Sequence, residues 1–250
     1  KNPKKVIFAE GEDENMLKAA IEFNKARLGK PILIGSEERI KEQLKKIGLD
    51  ENFKIQIVNS KDKSRREKYK KYLYKKLQRD GLLERDVDRL IRNDRVAWGS
   101  SMIACKDADA MVTGNIRHYA ASVEKLKKFV DPREGETIFG MTIIVSKGKT
   151  ILVADTNVQD FPSAERLVNT SISCVRVARL FGFEPKVAFL SHSTFGKPVS
   201  RNTKHVRDAI ELLRSKKVNF DFDGEMQPDV ALNPIYQEVY PFSKIVGKAN

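Results

Sequence analysis

Two cysteines, three histidines and one tryptophan in 250 residues leave little material for several kinds of chemistry. Cys105 and Cys174 are too few for a disulfide framework and lack metal-ligand spacing. They are expected as buried free thiols in a reducing, cytoplasmic setting. His118, His192 and His205 are scattered, with no HExxH or paired-cysteine pattern, so no metal site is expected. No apolar run approaches the roughly 18 residues of a membrane helix. The first residue is not methionine, and the opening segment reads as strand, so no signal peptide is expected in it. The chain opens on Lys1-Asn2-Pro3-Lys4-Lys5 and is expected to be a fragment of a longer protein. None of the 14 glycines falls in a GxxxxGKS/T, GxGxxG or GxSxG arrangement, which excludes the common nucleotide fingerprints and a serine-hydrolase elbow.

Positive charge, by contrast, is plentiful: 47 Lys and Arg against 34 Asp and Glu, a net charge of +13. Such an excess fits a nucleic acid, an anionic small ligand, or a compositional bias toward lysine. The lysines are spread along helical segments such as Lys68 to Lys76. No helix-turn-helix, RNP-type strand or zinc finger accompanies them. Nucleic acid and membrane are therefore not expected as partners.

Strand and helix patterns alternate along the first half. Lys5 to Ala9, Lys30 to Ser36 and Lys54 to Asn59 read as strands. Asn15 to Lys25, Glu37 to Ile47, Lys63 to Gln78 and Glu84 to Asn93 read as helices, with Gly35-Ser36 capping the second. Ala97 to Ala104 reads as a buried helix, Ala108 to Thr113 as a strand and Ser122 to Phe129 as a helix. This alternation predicts a parallel α/β sheet. A boundary is expected near Pro132-Arg133-Glu134-Gly135. Thr137 to Ser146 and Thr150 to Ala154 then form an antiparallel hairpin over Lys147-Gly148-Lys149. Pro162 to Phe181 is a helix with Pro162 in its first turn and Gly182 at its C-cap. Val187 to Leu190, a helix from Thr203 to Ser215, and the strand Asn219 to Asp223 follow.

Three apolar strands stop abruptly in small and polar residues: Asp107 to Asn115, Ala154-Asp155-Thr156-Asn157-Val158, and Val187 to Gly196. Parallel sheets end this way at the carboxyl edge, where open α/β sheets bind ligands. Ser191-His192-Ser193-Thr194-Phe195-Gly196-Lys197 can cradle a phosphate through hydroxyls, N–H groups and Lys197, or it is a polar turn without a ligand. Ser191 and His192 are adjacent in extended backbone and cannot easily pair as nucleophile and base. Glu10 to Glu14 reads as a solvated helix N-terminus, its carboxylates complementing the dipole. Asp221 to Asp229 binds a cation, orients a thiol or amine, or is a structural turn after a strand.

Together these segments resemble the phosphate acetyl/butyryltransferase family. The resemblance rests on Phe8-Ala9-Glu10-Gly11, Asp107 to Gly114, Ala154-Asp155-Thr156, Pro162-Ser163-Ala164-Glu165, Lys186 to Gly196, Asp223 to Leu232 and Gly247-Lys248-Ala249-Asn250. It covers essentially the whole chain. Ala9-Glu10-Gly11-Glu12, Leu190-Ser191-His192-Ser193 with Phe195-Gly196, and Asp223-Gly224-Glu225-Met226 look like a subgroup, the C-terminal domain of multidomain NADP-dependent malic enzymes.

The resemblance implies an α/β fold of two three-layer subdomains around a cleft, similar to isocitrate/isopropylmalate dehydrogenase. The subdomains are expected over residues 1–134 and 135–250, with the segment returning to the first absent from this sequence. Thr113, Gly114, Asp155, Thr156, Ser191, Ser193, Thr194, Gly196 and Lys197 are expected to line the cleft and hold acetyl-CoA. Asn15 stands where the family usually has Arg, Phe195 where transferases usually carry Lys, and the family's Ser-Arg pair falls beyond Asn250. The resemblance thus implies a domain that binds acetyl-CoA as an effector and supports a homo-oligomer, without catalysis of its own. NADP and Mg²⁺ or Mn²⁺ would belong to a separate malate-oxidising domain. An active phosphate acetyl/butyryltransferase is the alternative.

Overall fold

A computed structural model of the chain describes residues 2–48, 55–60, 62–156, 158, 161–198 and 203–250. It divides into two compact units, Lys1–Asp131 and Pro132–Asn250.

The first unit is organised by a parallel sheet of four strands: β1 (Lys5–Phe8), β2 (Lys30–Ile34), β3 (Gln56–Val58) and β4 (Ala110–Val112), in the order β3-β2-β1-β4. Successive side chains of a strand leave on opposite faces. Ile7, Ile32, Ile34 and Val58 therefore join one core and Phe8 and Leu33 the other. Helices α1 (Glu14–Lys25) and α2 (Glu37–Lys46) cover the second face with Leu17, Ile21, Ile40 and Leu44. Helices α3 (Lys63–Leu77), α4 (Glu84–Asn93) and α5 (Arg95–Ala104) cover the first, where Trp98 meets Tyr69 edge-on at 4.9 Å. A sheet covered on both faces explains why β1 and β2 read as continuous apolar runs.

Side-chain caps decide several boundaries. Asp94 Oδ1 accepts the amides of Val96 and Ala97 at 2.9 and 3.2 Å, which starts α5 two residues before its apolar pattern does. Asp109 accepts the Lys5 amide at 2.8 Å, and β4 is shorter than its apolar run. Ser36 occupies the N-cap of α2, but its hydroxyl makes no capping bond. Helix α6 (Tyr119–Phe129) closes the unit. The expected strand from Lys54 begins outside the described residues.

The second unit is not one open sheet. Strands β5 (Met141–Ser146) and β6 (Lys149–Ala154) form an antiparallel hairpin, while β7 (Lys186–Leu190) and β8 (Asp221–Met226) form a separate parallel pair. The strand end at Ala154-Asp155-Thr156 thus belongs to an antiparallel ladder, unlike those of β4 and β7; Asn157 lies outside the described residues. Helix α7 (Ala164–Leu180) starts after Pro162, because the Ser163 hydroxyl accepts the Arg166 amide and takes the N-cap. Its end has the two bonds of a Schellman turn, Gly182 N–H to Arg179 and Phe183 N–H to Ala178, with Gly182 left-handed at φ 83°. Helix α8 (Lys204–Lys216) packs on α7, with Val168, Phe189, Val206 and Ile210 in their shared core. A short helix, α9 (Pro228–Leu232), sits over a further core with Met226, Ile245 and Val246. Cys105 and Cys174 are free but only half-buried, a correction to their expected full burial. Among the described residues, no helix is long and apolar enough to cross a membrane.

Leu73 is fully buried, whereas Val145 on the hairpin is 73% exposed. Leu73→Ala should cost about 2–5 kcal/mol and Val145→Ser under about 0.5 kcal/mol. Urea unfolding of both variants checks the contrast, and similar midpoints would refute it.

Candidate ligand-binding site

The polar groups cluster at strand ends in each unit. In the first unit, Glu10 follows β1 and is 2% exposed. Its Oε1 accepts the Thr113 hydroxyl at 2.9 Å and the Gly114 amide at 3.2 Å, tying the end of β4 to the end of β1. Its Oε2 is buried with no partner among the described residues. Glu12 accepts the Ser36 amide at 2.8 Å and pairs with Arg95 at 2.7 Å. Burial pushes the Glu12 carboxyl up, but the Ser36 amide and the Arg95 guanidinium outweigh it and hold the group below its usual range. Asp13 caps α1 through the Met16 amide and accepts Asn115 Nδ2. The acidic turn is therefore built into the sheet edge, and the expectation of a solvated helix N-terminus is corrected for Glu10 and Glu12. Gly11 belongs to the same design: its amide donates to the Ile34 carbonyl at 3.1 Å, and a Cβ there would lie 2.9 Å from that oxygen.

The second unit repeats the device with different residues. Glu225, near the end of β8, is 0% exposed. Its Oε1 accepts the Ser193 hydroxyl at 2.7 Å and the Gly196 amide at 3.1 Å. Arg207 from α8 donates to both carboxylate oxygens, at 3.0 and 3.3 Å. Several other groups of the turn are engaged as well. Phe195 N–H bonds the Glu225 carbonyl, the Thr194 and Lys197 amides bond each other's carbonyls, and the Thr194 hydroxyl accepts the Gln227 amide. Ser191 Oγ lies 3.3 Å from Ser193 Oγ, so its partner is a serine and not His192. Phe195 adopts φ 47° and packs on Tyr240 and Phe242 at 5.2 and 4.9 Å. What the turn presents outward is the exposed Lys197 and His192, with Ser191 half-buried.

Asp155 and Thr156 follow β6. Asp155 Oδ1 accepts the Gly140 amide at 3.1 Å, its Oδ2 is buried without a partner among the described residues, and the Thr156 hydroxyl meets Thr142 at 3.0 Å. The structure thus brings Thr113 and Gly114 together on Glu10, and Ser193 and Gly196 together on Glu225. The segment Asp221 to Asp229 does not simply follow a strand; its first six residues are β8. Arg207 and Arg95 were not singled out from sequence. The available signal for Arg207 was a cation next to Val206 on a helix whose buried stripe continues through Ala209, Ile210 and Leu213.

These features define an α/β protein with hydroxyl- and glycine-bearing strand ends held by buried carboxylates. The family model for phosphate acetyl/butaryl transferase matches residues 1–250, and the chain belongs to this family. It is 41% identical to an NADP-dependent malic enzyme of Rhizobium meliloti over 100% of its own length and 33% of that protein's. It is 36% identical to a probable NADP-dependent malic enzyme of Rickettsia prowazekii over 99% of its length and 34% of that protein's. The chain therefore spans about a third of the length of these curated relatives. A phosphotransacetylase crystal structure from Streptococcus pyogenes matches with a TM-score of 0.88 and 27% identity, covering 99% of this chain and 76% of that one.

Two consequences are measurable. Removing Arg207 leaves the Glu225 carboxylate buried with two neutral donors, so Arg207→Ala should destabilise by about 3 kcal/mol, while Ser193→Ala should cost about 1.5–3 kcal/mol. Denaturant unfolding of each variant checks this, and wild-type midpoints would overturn the anchoring role. For Glu12, a folded value below the unfolded one means that its stabilisation is complete above about pH 4.5 and is lost as pH falls toward the folded value. The gap in melting temperature between wild type and Glu12→Gln should be constant near neutrality and close in acid; a gap that persists unchanged to pH 3 would contradict this assignment.

Proposed function

We propose that the chain is the phosphate acetyltransferase-like C-terminal domain of a cytoplasmic NADP-dependent malic enzyme, and that it binds acetyl-CoA as an effector without turning it over. The observation that carries the reading is the closed turn beside Glu225. Acyl transfer between CoA and phosphate needs donors aimed at developing charge. In this turn the Ser193 hydroxyl and the Gly196 amide serve Glu225, and Arg207 is held by the same carboxylate. Lys197 and Ser191 remain to meet a phosphate, which suits recognition of an acyl-CoA better than stabilisation of a transition state. The similarity to malic enzymes over the whole chain supports the parent assignment.

Acetyl-CoA would act on a distant malate site only if it bound one state of the parent better than another, typically by about 1–3 kcal/mol. On this reading NADP and Mg²⁺ or Mn²⁺ belong to the rest of the parent, and the domain contributes to a homo-oligomer. Kinship with the isocitrate/isopropylmalate dehydrogenase architecture, with a ligand cleft, is part of the same proposal. The second reading is an active phosphate acetyl/butyryltransferase, favoured by the TM-score of 0.88 to a phosphotransacetylase.

Calorimetric titration with acetyl-CoA, followed by an assay for CoA-dependent loss of acetyl phosphate, separates the two. We expect binding without turnover, weakened about ten-fold in Lys197→Ala, the size of one lost charge-assisted contact. Turnover overturns the effector reading in favour of the transferase. Absence of binding overturns both for this chain.

A further inference from the structure

The first unit holds a cavity of about 250 Å³ in which Ile32 alone of the lining residues is apolar. Lys5 opens β1 and Gln56 opens β3, and both line it, so the cavity lies toward the amino edge of the sheet. Glu10, Thr113 and Gly114 follow the carboxyl ends of β1 and β4, at the opposite edge. Arg65 and Lys68 reach the cavity from the first two turns of α3, and Asp107 from just before β4.

Three cations thus share one small cavity with a single carboxylate, and that carboxylate is already occupied. Asp107 accepts Lys68 Nζ at 2.9 and 2.8 Å and the Tyr69 hydroxyl at 2.8 Å. The Lys5 ammonium and the Arg65 guanidinium have no carboxylate within ion-pair distance among the described residues. Asp109 and Asp62 act on them only from beyond contact. Both of those acids are committed elsewhere: Asp109 to Lys4 Nζ and the Lys5 amide at 3.1 and 2.8 Å, and Asp62 to the Ser64 amide at 2.9 Å. Like charges around a concave, partly dry surface repel one another and concentrate a positive field there. An anion relieves that repulsion.

We propose that this cavity binds a phosphoryl dianion, carried by a small phosphate monoester or present as inorganic phosphate. The planar fork of Arg65 matches two phosphoryl oxygens, and Lys5 adds a second charge. Gln56 supplies a neutral amide for the rest of the ester. The volume of about 250 Å³ lies below the roughly 300–1,000 Å³ of sites for drug-sized ligands, which favours a phosphoryl group with few further atoms over a nucleotide. This site is in the first unit and does not involve the turn beside Glu225, so it stands apart from the acetyl-CoA reading.

The test titrates the 250-residue chain with inorganic phosphate and with glycerol 3-phosphate at fixed ionic strength, and follows backbone amide chemical shifts. Saturable shifts are expected at Ser64, Arg65 and Lys68, with a dissociation constant of about 1 mM or lower for two charge-assisted contacts. Tighter binding of glycerol 3-phosphate would name the monoester as the source, and equal binding would name phosphate itself. Arg65→Gln and Lys5→Gln should each weaken binding about ten-fold. They lie on different elements, so a loss common to both is not the local unfolding of one. Lys71→Gln removes the same charge from an exposed position of α3 outside the cavity and should change nothing. Lys197→Ala should also leave these shifts intact, even where it abolishes acetyl-CoA binding. No saturation by about 10 mM, equal weakening by Lys71→Gln, or phosphate binding that survives Arg65→Gln but is lost in Lys197→Ala would overturn the assignment.

Discussion

The structure depends on how it satisfies backbone donors where strands stop. A strand that ends at a sheet edge leaves amides that need partners. Both units meet this need with a buried carboxylate that accepts one hydroxyl and one glycine amide: Glu10 from Thr113 and Gly114, and Glu225 from Ser193 and Gly196. In each case the acid comes from one strand end and the donors from a neighbouring one. The carboxylate is what fixes the two ends relative to each other. The difference lies in charge compensation: Glu225 has Arg207, whereas one oxygen of Glu10 has no partner among the described residues.

That constraint explains why fold and site were legible to different degrees. The first unit was readable because the continuous apolar runs of β1 and β2, and the apolar stripes of α1 to α4, are local patterns. Caps shifted boundaries by a residue or two, as Asp94 and Ser163 show, because a short polar side chain can take the first amides of a helix before the apolar pattern begins. The second unit was less readable. An apolar run that ends in Ala154-Asp155-Thr156 looks the same whether its neighbours are parallel or antiparallel, and pairing is decided by residues far away in sequence.

The candidate site divides in the same way. The hydroxyls and glycines of Ser191 to Lys197 stand out as a short motif. Their engagement does not, because Glu225 and Arg207 come from β8 and α8, and the hydrogen bonds run across 18 to 32 positions of separation, as between Arg207 and Glu225 and between Ser193 and Glu225. A motif names the donors; only the fold says whether they are free. Sequence reading offered the turn's hydroxyls and amides either to a phosphate or to a polar turn without a ligand, and the geometry gives several of them to the protein itself.

On the proposed effector reading, a turn closed on itself would suit recognition better than catalysis. Catalysis must lower a barrier by about 8 kcal/mol or more, which demands donors held open toward the reacting atoms. Regulation needs only a difference of about 1–3 kcal/mol between two states of the protein. On the same reading, a peripheral lysine and one half-buried hydroxyl would serve that smaller task. Phe195 fits the same division: where a charged group would reach toward a phosphate, its ring is turned onto Tyr240 and Phe242 and stiffens the turn. If the proposed effector binds at the rim, rigidity of this kind would pass its contacts to packed neighbours and not absorb them by rearrangement of the turn.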